Sequence, residues 1–303
     1  MNRIAVVTLA HGRHDHLQGQ HESLARGERR PDHYVVAAMD DHRIRPTTSW
    51  GLHRDVVRVP RHPDGLPLAA ARNLGMAHAL EAGADVVVLL DVDCLAGRRL
   101  VSTYAHAVVA DPSTVWSGPV TYLSEPASGG YPLDRLELLD DPHPARPDPG
   151  PSRVLRRTDP DLFWSLSFAI SCPAWEQVGG FCEEYVGYGA EDTDFGLRVL
   201  DTGLDHGCLG DARAYHQWHP STTPPVEHLD EILHNAGIFH DHWGRWPMEG
   251  WLAAFEALGL AVHRDGRWMR SSRPARSGGA GDDQWSRQPD AHPTGEAVPH
   301  PRG

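Results

Sequence analysis

Apolar runs recur along the first half of the chain, and the polar stretches between them keep a helical period. Ile4 to Leu9 is a short apolar strand that breaks at Ala10-His11-Gly12-Arg13, and a polar, helix-like stretch from His14 to Ala25 follows. Tyr34 to Met39 is a second strand, ending on Asp40-Asp41. Residues 42–55, with Arg, Pro, Thr and Trp, read as a surface excursion, and Val56 to Val59 as a third strand. Leu66 to Ala82 has Ala70, Leu74 and Ala77 at helical spacing and Gly83 just past its end, which predicts a helix. Val86-Val87-Val88-Leu89-Leu90 is an unbroken apolar run rich in β-branched residues, the pattern of a strand buried on both faces. A further helix is predicted over Leu100 to Ala110. Strand and helix in alternation predict a parallel, doubly wound α/β sheet, whose ligands gather outside the carboxyl ends of the strands.

The second half is less regular. Prolines and glycines crowd the stretch between Pro126 and Pro151, so 124–160 must run over the surface, as a lid, an acceptor-shaping insertion or a plain linker. Order returns at Phe163 to Ile170, and a helix over about Thr193 to Leu200 is stopped by Gly203. Ala212 to Tyr215 predicts a short strand that ends at His216-Gln217-Trp218-His219. Leu229, Ile232, Leu233, Ala236 and Phe239 predict an amphipathic helix, and Trp243 to Leu260 a last one. Residues 271–303 carry almost no aliphatic side chains and are expected to be a disordered tail. The expected organisation is one domain over 1–270: a nucleotide-binding half to about 123, the surface insertion 124–160, and an acceptor half with C-terminal helices over 161–270.

Composition narrows the function. A net charge of −13 argues against nucleic acid as a partner, which would call for a basic face. Hydrophobic residues make up 40% of the chain, enough for a core. The basic residues are all Arg, a composition bias that suits bidentate phosphate contacts. Cys94, Cys172, Cys182 and Cys208 show no zinc spacing, the amino terminus does not read as a signal peptide, and no apolar run approaches the roughly 20 residues of a membrane span. The expectation is a soluble, cytoplasmic protein.

Two places carry candidate chemistry. The buried run stops on Asp91-Val92-Asp93, two carboxylates with no neutralising Lys or Arg in the run. They repel each other unless a cation sits between them, or else they simply open the next turn in solvent. Gly187-Tyr188-Gly189-Ala190-Glu191-Asp192 places two acids at or before a helix start, where the helix dipole favours the ionised form. Such a group is either a general base or an ordinary capping acid.

Arg72-Asn73 ahead of the strand, Asp91-Val92-Asp93 at its end, Gly179-Gly180-Phe181 with Gly-x-Gly-x-Glu191-Asp192, and a later His stand in one order. Over about residues 3–219 this order resembles the GT-A-fold glycosyltransferases, particularly family-2-like enzymes whose C-terminal part is similar to that of the β-1,4-galactosyltransferases. The resemblance implies a GT-A fold, a single Rossmann-like mixed sheet flanked by helices. It implies that Asp93 binds a divalent metal and that Asp91 contacts the nucleotide ribose or reaches the metal through water. It gives His216 as the other metal ligand, with His219 the competing candidate. A carboxylate and imidazole set suits Mn²⁺ better than Ca²⁺, with Mg²⁺ the second choice. The resemblance makes Asp192 the base that takes the acceptor proton, with inversion at the anomeric carbon, and makes Glu191 a hydrogen-bond partner of the acceptor. His11, Arg13, Asp40 and Arg72 would line the nucleotide pocket, with Ser165 and Ser167 where the backbone passes the donor phosphates. Tyr188 stands where the galactosyltransferases carry a Trp that closes over the donor, and Ala190 replaces a Gly.

The function these readings imply is metal-dependent, inverting transfer of a hexose from a nucleotide-diphosphate sugar, most simply a UDP-sugar, to an acceptor hydroxyl. A sugar-phosphate nucleotidyltransferase would also use acidic strand ends and a metal, but calls for a Gly-rich basic loop of which Ala10-His11-Gly12-Arg13 is a poor version. A non-catalytic carbohydrate-binding protein would have no use for two Asp and a His in metal-compatible order.

Overall fold

A computed structural model describes residues 2–272; of the expected tail, 273–303 lie outside the described residues. The chain forms two compact units, the first of Met1–Val186 and Glu191–His219, the second of Gly187–Ala190 and the described residues from Pro220.

The first unit begins with β1 (Ile4–Ala10), α1 (His14–Arg26), β2 (His33–Met39), β3 (Thr47–Ser49), β4 (Leu52–Val59), α2 (Leu68–Glu81) and β5 (Val86–Leu90). It continues through β6 (Cys94–Ala96), α3 (Leu100–Ala110), β7 (Thr114–Ser117), β8 (Val120–Tyr122) and β9 (Val154–Arg156). It closes with β10 (Ser167–Ser171), α4 (Cys172–Val178), α5 (Glu191–Asp201), β11 (Asp205–Leu209) and β12 (Ala214–His216). The main sheet has the order β3-β4-β2-β1-β5-β10-β7-β11-β9. Strands β4, β2, β1 and β5 are parallel, as the strand–helix alternation predicts. Strand β10 then enters antiparallel between β5 and β7, which makes the sheet mixed.

Period-2 alternation explains why the central strands look uniformly apolar. In β5, Val86, Val88 and Leu90 enter one core with Leu17, Leu24, Tyr104 and Val108 from α1 and α3. Val87 and Leu89 enter the other with Met76, Ala79, Trp175 and Phe195 from α2, α4 and α5. Each such side chain contributes about 1.5–3 kcal/mol of burial, so β5 and the turn that follows it are firmly anchored.

Part of the expected surface excursion at 42–55 is sheet instead. Trp50 and Gly51 have positive φ and turn β3 back onto β4, which pairs in parallel with β2 from Val35↔Asp55 to Met39↔Val59. A small second sheet, β6-β12-β8, pairs His216 with Cys94, one residue past Asp93.

The second unit holds α6 (Leu229–Trp243), α7 (Glu249–Ala257) and the hairpin β13 (Ala261–Arg264)/β14 (Arg267–Arg270). Its core is Leu229, Ile232, Leu233, Ala236, Trp251, Leu252 and Phe255. The single helix expected over 243–260 is shorter: Gly244 ends α6 at φ 69°, and Met248, also left-handed, precedes α7. Among the described residues no helix is long and apolar enough to cross a membrane. All four cysteines are free thiols.

Candidate active site

The turn after β5 is held in place from α1. Gln20, fully buried, donates through Nε2 to the carbonyls of Asp91 at 2.6 Å and Cys94 at 3.1 Å. Its Oε1 accepts from Tyr34 at 2.7 Å, and the Thr8 hydroxyl lies 2.8 Å from that Oε1 and 2.9 Å from the Leu90 carbonyl. The Asp93 carbonyl accepts from the Gln217 backbone N at 2.7 Å, which docks the end of β12 on this turn.

That docking brings Asp93, His216 and His219 together, with one ligand atom of each inside 4.8 Å of the others. His219 Nε2 is 3.7 Å from Asp93 Oδ2. Asp93 Oδ1 is buried and makes no hydrogen bond among the described residues, while Arg13 Nε stands 3.7 Å and His16 Nε2 4.0 Å away. A desolvated carboxylate oxygen left without a donor is costly, and a cation shared with two imidazoles would meet that cost. The residues fit a divalent metal, and both histidines of the His216-x-x-His219 pair belong to the cluster.

Asp91 stands outside that cluster. Its Oδ1 lies 3.5 Å from Arg72 Nη2, and Arg72 Nη1 donates to Glu191 Oε1 at 3.1 Å. Arg72 is itself buried, with its guanidinium 5.0 Å over the Phe181 ring. The neighbouring Asn73 grips the backbone N and O of Phe181 through its side-chain amide, both at 2.9 Å, which ties α2 to the loop leading toward α5. Burial pushes Asp91 up to about 6 against the pull of Arg72, with Asp93 and Glu191 adding to the rise. Burial likewise raises Glu191, together with the charge of Asp192, and raises Asp192, in each case against Arg72. Glu191 and Asp192 open α5, so the helix start expected at Thr193 comes two residues earlier.

The nucleotide-side residues are arranged around the end of β1. Gly12 and Arg13 adopt positive φ and launch α1. His11 Nδ1 lies 2.7 Å from the Met39 carbonyl. Asp40 is exposed and turns at φ 44°, with Oδ2 4.0 Å from Arg61 Nη1. Asp41, which the sequence reading passed over, faces inward: its Oδ2 accepts from Gly12 N at 3.0 Å and lies 3.1 Å from His14 Nε2, and its Oδ1 accepts from Arg43 N at 2.9 Å. Burial pushes Asp41 up, but those two backbone donors, with the charges of His14 and Arg43, hold the carboxyl below its ordinary value. Ser165 is buried, and the Ser167 side chain is engaged in the core with the Tyr104 hydroxyl at 2.9 Å. The backbone between them still meets the turn, since Leu166 O accepts from Asp91 N at 2.9 Å.

Tyr188 lies in the second unit. Its N donates to Glu231 Oε2 at 2.8 Å, and its ring stacks on His228 at 4.9 Å and Trp251 at 5.8 Å. The flanking glycines are demanded by this packing: both have positive φ, and a Cβ would meet Glu231 at Gly187 and Met248 at Gly189 within 3 Å.

Gln20, His16 and Asp41 are thus additions to the residues expected from sequence, and His219, the competing candidate there, stands beside His216. The first two had a weak signal: His16, Gln20 and Ser23 sit at i, i+4 and i+7, on the helix face shared with Leu17 and Leu24.

With this geometry in place, likenesses to known proteins become informative. The family described as the N-terminal domain of galactosyltransferase matches residues 157–220, the stretch that contains Glu191, Asp192, His216 and His219. Validoxylamine A glucosyltransferase of Streptomyces hygroscopicus subsp. limoneus is 28% identical over 239 residues, covering 66% of this chain and 48% of that protein. Chondroitin synthase of Pasteurella multocida (strain Pm70) is 26% identical over 193 residues, covering 55% of this chain and 19% of that protein. The chain thus spans less than half the length of these curated relatives. The structure of S. aureus TarS superposes with a TM-score of 0.51 at 13% identity, over 85% of this chain and 48% of that one. Sequence likeness and fold similarity together support a place among the GT-A-fold glycosyltransferases.

Proposed function

From that place, we propose that the protein is a metal-dependent, inverting hexosyltransferase that takes a nucleotide-diphosphate sugar, most simply a UDP-hexose, as donor. The observation that carries this reading is the Asp93–His216–His219 cluster with its undonated Asp93 oxygen, two residues from an Asp91 that Arg72 links to Glu191. Asp93, His216 and His219 would hold the cation, and its mixed N/O donor set suits Mn²⁺, with Mg²⁺ the second choice. When bound, the metal supplies Lewis-acid stabilisation of the departing diphosphate. Neither the metal site nor the acid pair is expected of a scaffold that only binds sugar.

The chain's own residues do the rest. Asp192 accepts the acceptor hydroxyl proton as that oxygen forms its bond to the anomeric carbon. The bond from that carbon to the diphosphate oxygen breaks, and the electron pair leaves with the nucleoside diphosphate. One displacement inverts the anomeric centre. Glu191 accepts a hydrogen bond from the acceptor and is oriented by Arg72. Arg13 and Arg72 flank the turn and offset negative charge there. Asp41, held ionised by Gly12 and Arg43, shapes the base and ribose end of the donor pocket with His11, while Asp40 faces solvent at its rim. Asp91 addresses the ribose, and the backbone at Ser165 and Ser167 follows the diphosphate.

Calorimetric titration with UDP and GDP, with Mn²⁺ and again with EDTA, tests the reading. Mn²⁺-dependent UDP binding that Asp93→Ala removes is the expected result. His216→Ala and His219→Ala should each weaken it, because both imidazoles share the cation. Metal-independent binding that survives Asp93→Ala would overturn the donor site.

A further inference from the structure

Beside the metal cluster runs a groove that the reaction does not use. It has a volume of about 530 Å³ and is lined by α1, by the segment 125–133 that follows β8, and by Leu95, Gln217 and Trp218. His16 lines the groove and also stands 4.0 Å from Asp93, so the two sites are contiguous. None of Arg72, Asp91, Glu191 and Asp192 is among its lining residues.

Three features describe what it would take. Trp218 offers an indole at 39% exposure, the most exposed of the large apolar side chains at the groove, and Tyr131 stands beside it with its hydroxyl accepting from the Trp218 backbone N at 3.0 Å. An indole face set among polar groups receives the apolar face of a sugar ring while hydroxyls are hydrogen-bonded at its edge. Gln217 supplies such a group: it is only 6% exposed, Nε2 is committed to the His16 carbonyl at 3.1 Å, and Oε1 accepts no hydrogen bond among the described residues. A Cβ on Gly19 would lie 2.9 Å from that Oε1, so the helical glycine, itself in the groove wall, leaves room for the amide oxygen. Finally, the lining is acidic. Asp15, Glu22 and Glu125 border the groove and no Arg does; Glu22 pairs with Arg26, whereas Asp15 and Glu125 form no ion pair among the described residues.

We infer that this groove is a second saccharide subsite, open to amine-bearing sugars and closed to acidic ones. Stacking on Trp218 positions the ring, Gln217 Oε1 accepts from a hydroxyl or ammonium, and Asp15 and Glu125 attract a protonated amine while repelling uronate, sulfate or phosphate groups. Contiguity with Asp93 through His16 makes it an extension of the transfer site. The inference rests on the glycosyltransferase reading for that role, but its binding chemistry can be read separately.

The test is calorimetric titration of the full chain, without nucleotide or metal, with three β-1,4-linked probes: the glucosamine disaccharide, its N-acetylated counterpart and a diuronate. The glucosamine disaccharide should bind at least tenfold more tightly than the acetylated one, and the diuronate should give no heat. Trp218→Ala should weaken the glucosamine disaccharide at least tenfold, and Asp15→Asn with Glu125→Gln should remove the preference for the amine. Mn²⁺–UDP binding retained by the Asp15/Glu125 variant shows that it is folded, so the loss can be assigned to charge. Equal binding of the diuronate, no binding of any probe, or binding unchanged in both variants would overturn the inference. Loss of Mn²⁺–UDP binding in the wild-type protein alongside intact sugar binding would sink the transferase reading and leave the groove standing.

Discussion

Asp93 and Asp91 are two residues apart on one turn, yet they sit in opposite electrostatic situations. Asp93 has an oxygen that no hydrogen bond reaches, and two imidazoles that close on it. Asp91 already has a buried guanidinium, which it shares with Glu191. On the proposed function Asp93 takes an added cation beside Arg13, which stands 3.7 Å from it, whereas Asp91 has the buried Arg72 at 3.5 Å. The same residue type therefore reads as a metal ligand at one position and as part of a fixed, positioned acid network at the other. The turn after β5 gives the two carboxylates different neighbours, α1 and the end of β12 for Asp93 and α2 for Asp91.

The largest effect that would break this comparison is at the base. Asp192→Asn should lower transfer by roughly 10²–10⁴-fold, the usual share of a general base, while Mn²⁺-dependent UDP binding stays intact. A rate assay beside calorimetry separates the two, and retained transfer would remove Asp192 from the role. In the wild-type protein, burial raises both Glu191 and Asp192, so the acid limb of the rate should lie above the ordinary carboxylate range, with activity rising as pH rises through it.

Next is the cation that the protein supplies itself. Arg72→Met strands the buried Glu191 and the partly buried Asp91, a change that typically costs about 3–5 kcal/mol, and urea unfolding should show a loss of that order. The sign of its pH dependence follows from linkage. The folded-state carboxylates hold protons to higher pH than the unfolded ones, so the folded state binds more protons in that window and stability falls as pH rises. Without Arg72 the folded values rise further. The loss should therefore be larger at pH 8 than at pH 5, and a loss independent of pH would show that Arg72 acts through packing on Phe181 instead.

How much of this was legible differs between the same two regions. The β5 strand and its acids were readable because an unbroken apolar run ending on charge has one good physical explanation. The Arg72–Glu191 pairing was readable only as an order of motifs, since its partners are 119 residues apart. Asp40 was expected in the pocket and Asp41 is the one that faces inward. Adjacent acids cannot be told apart by period when a left-handed residue reverses the chain between them. Strands β7, β9 and β11 escaped because they are short or carry His, Gly and Arg, and only their neighbours in the sheet make them strands. Tyr188 stood out only by resemblance, at the place of a Trp that closes over the donor in the galactosyltransferases; its ring stacks on His228 and Trp251.

A smaller effect sharpens the Asp93 side. A ligand that binds only the folded state stabilises it by about 2.7 kcal/mol at a concentration 100 times its dissociation constant. Mn²⁺ should raise the melting temperature accordingly, and Asp93→Ala should abolish the rise, while Asp91→Asn should keep most of it. Equal loss in the two variants would erase the distinction between the carboxylates.

The smallest effect concerns what holds the turn rather than what it binds. Gln20 touches neither carboxylate, but its amide carries the Asp91 and Cys94 carbonyls and takes the Tyr34 hydroxyl, all in a buried setting. Gln20→Leu fills a similar volume and leaves those groups unsatisfied, at a cost of about 1–3 kcal/mol. If the turn is a rigid frame for the cation, Mn²⁺ affinity should fall along with stability, because Asp93 is then no longer held against His216 and His219. Gln20→Glu tests the geometry further, since it keeps the oxygen that Tyr34 reaches but cannot donate to the two carbonyls unless protonated. A Gln20→Leu protein that is less stable yet binds Mn²⁺ as tightly as wild type would mean that the antiparallel pairing of β12 with β6 alone positions the ligands, and that α1 supports the fold without tuning the site.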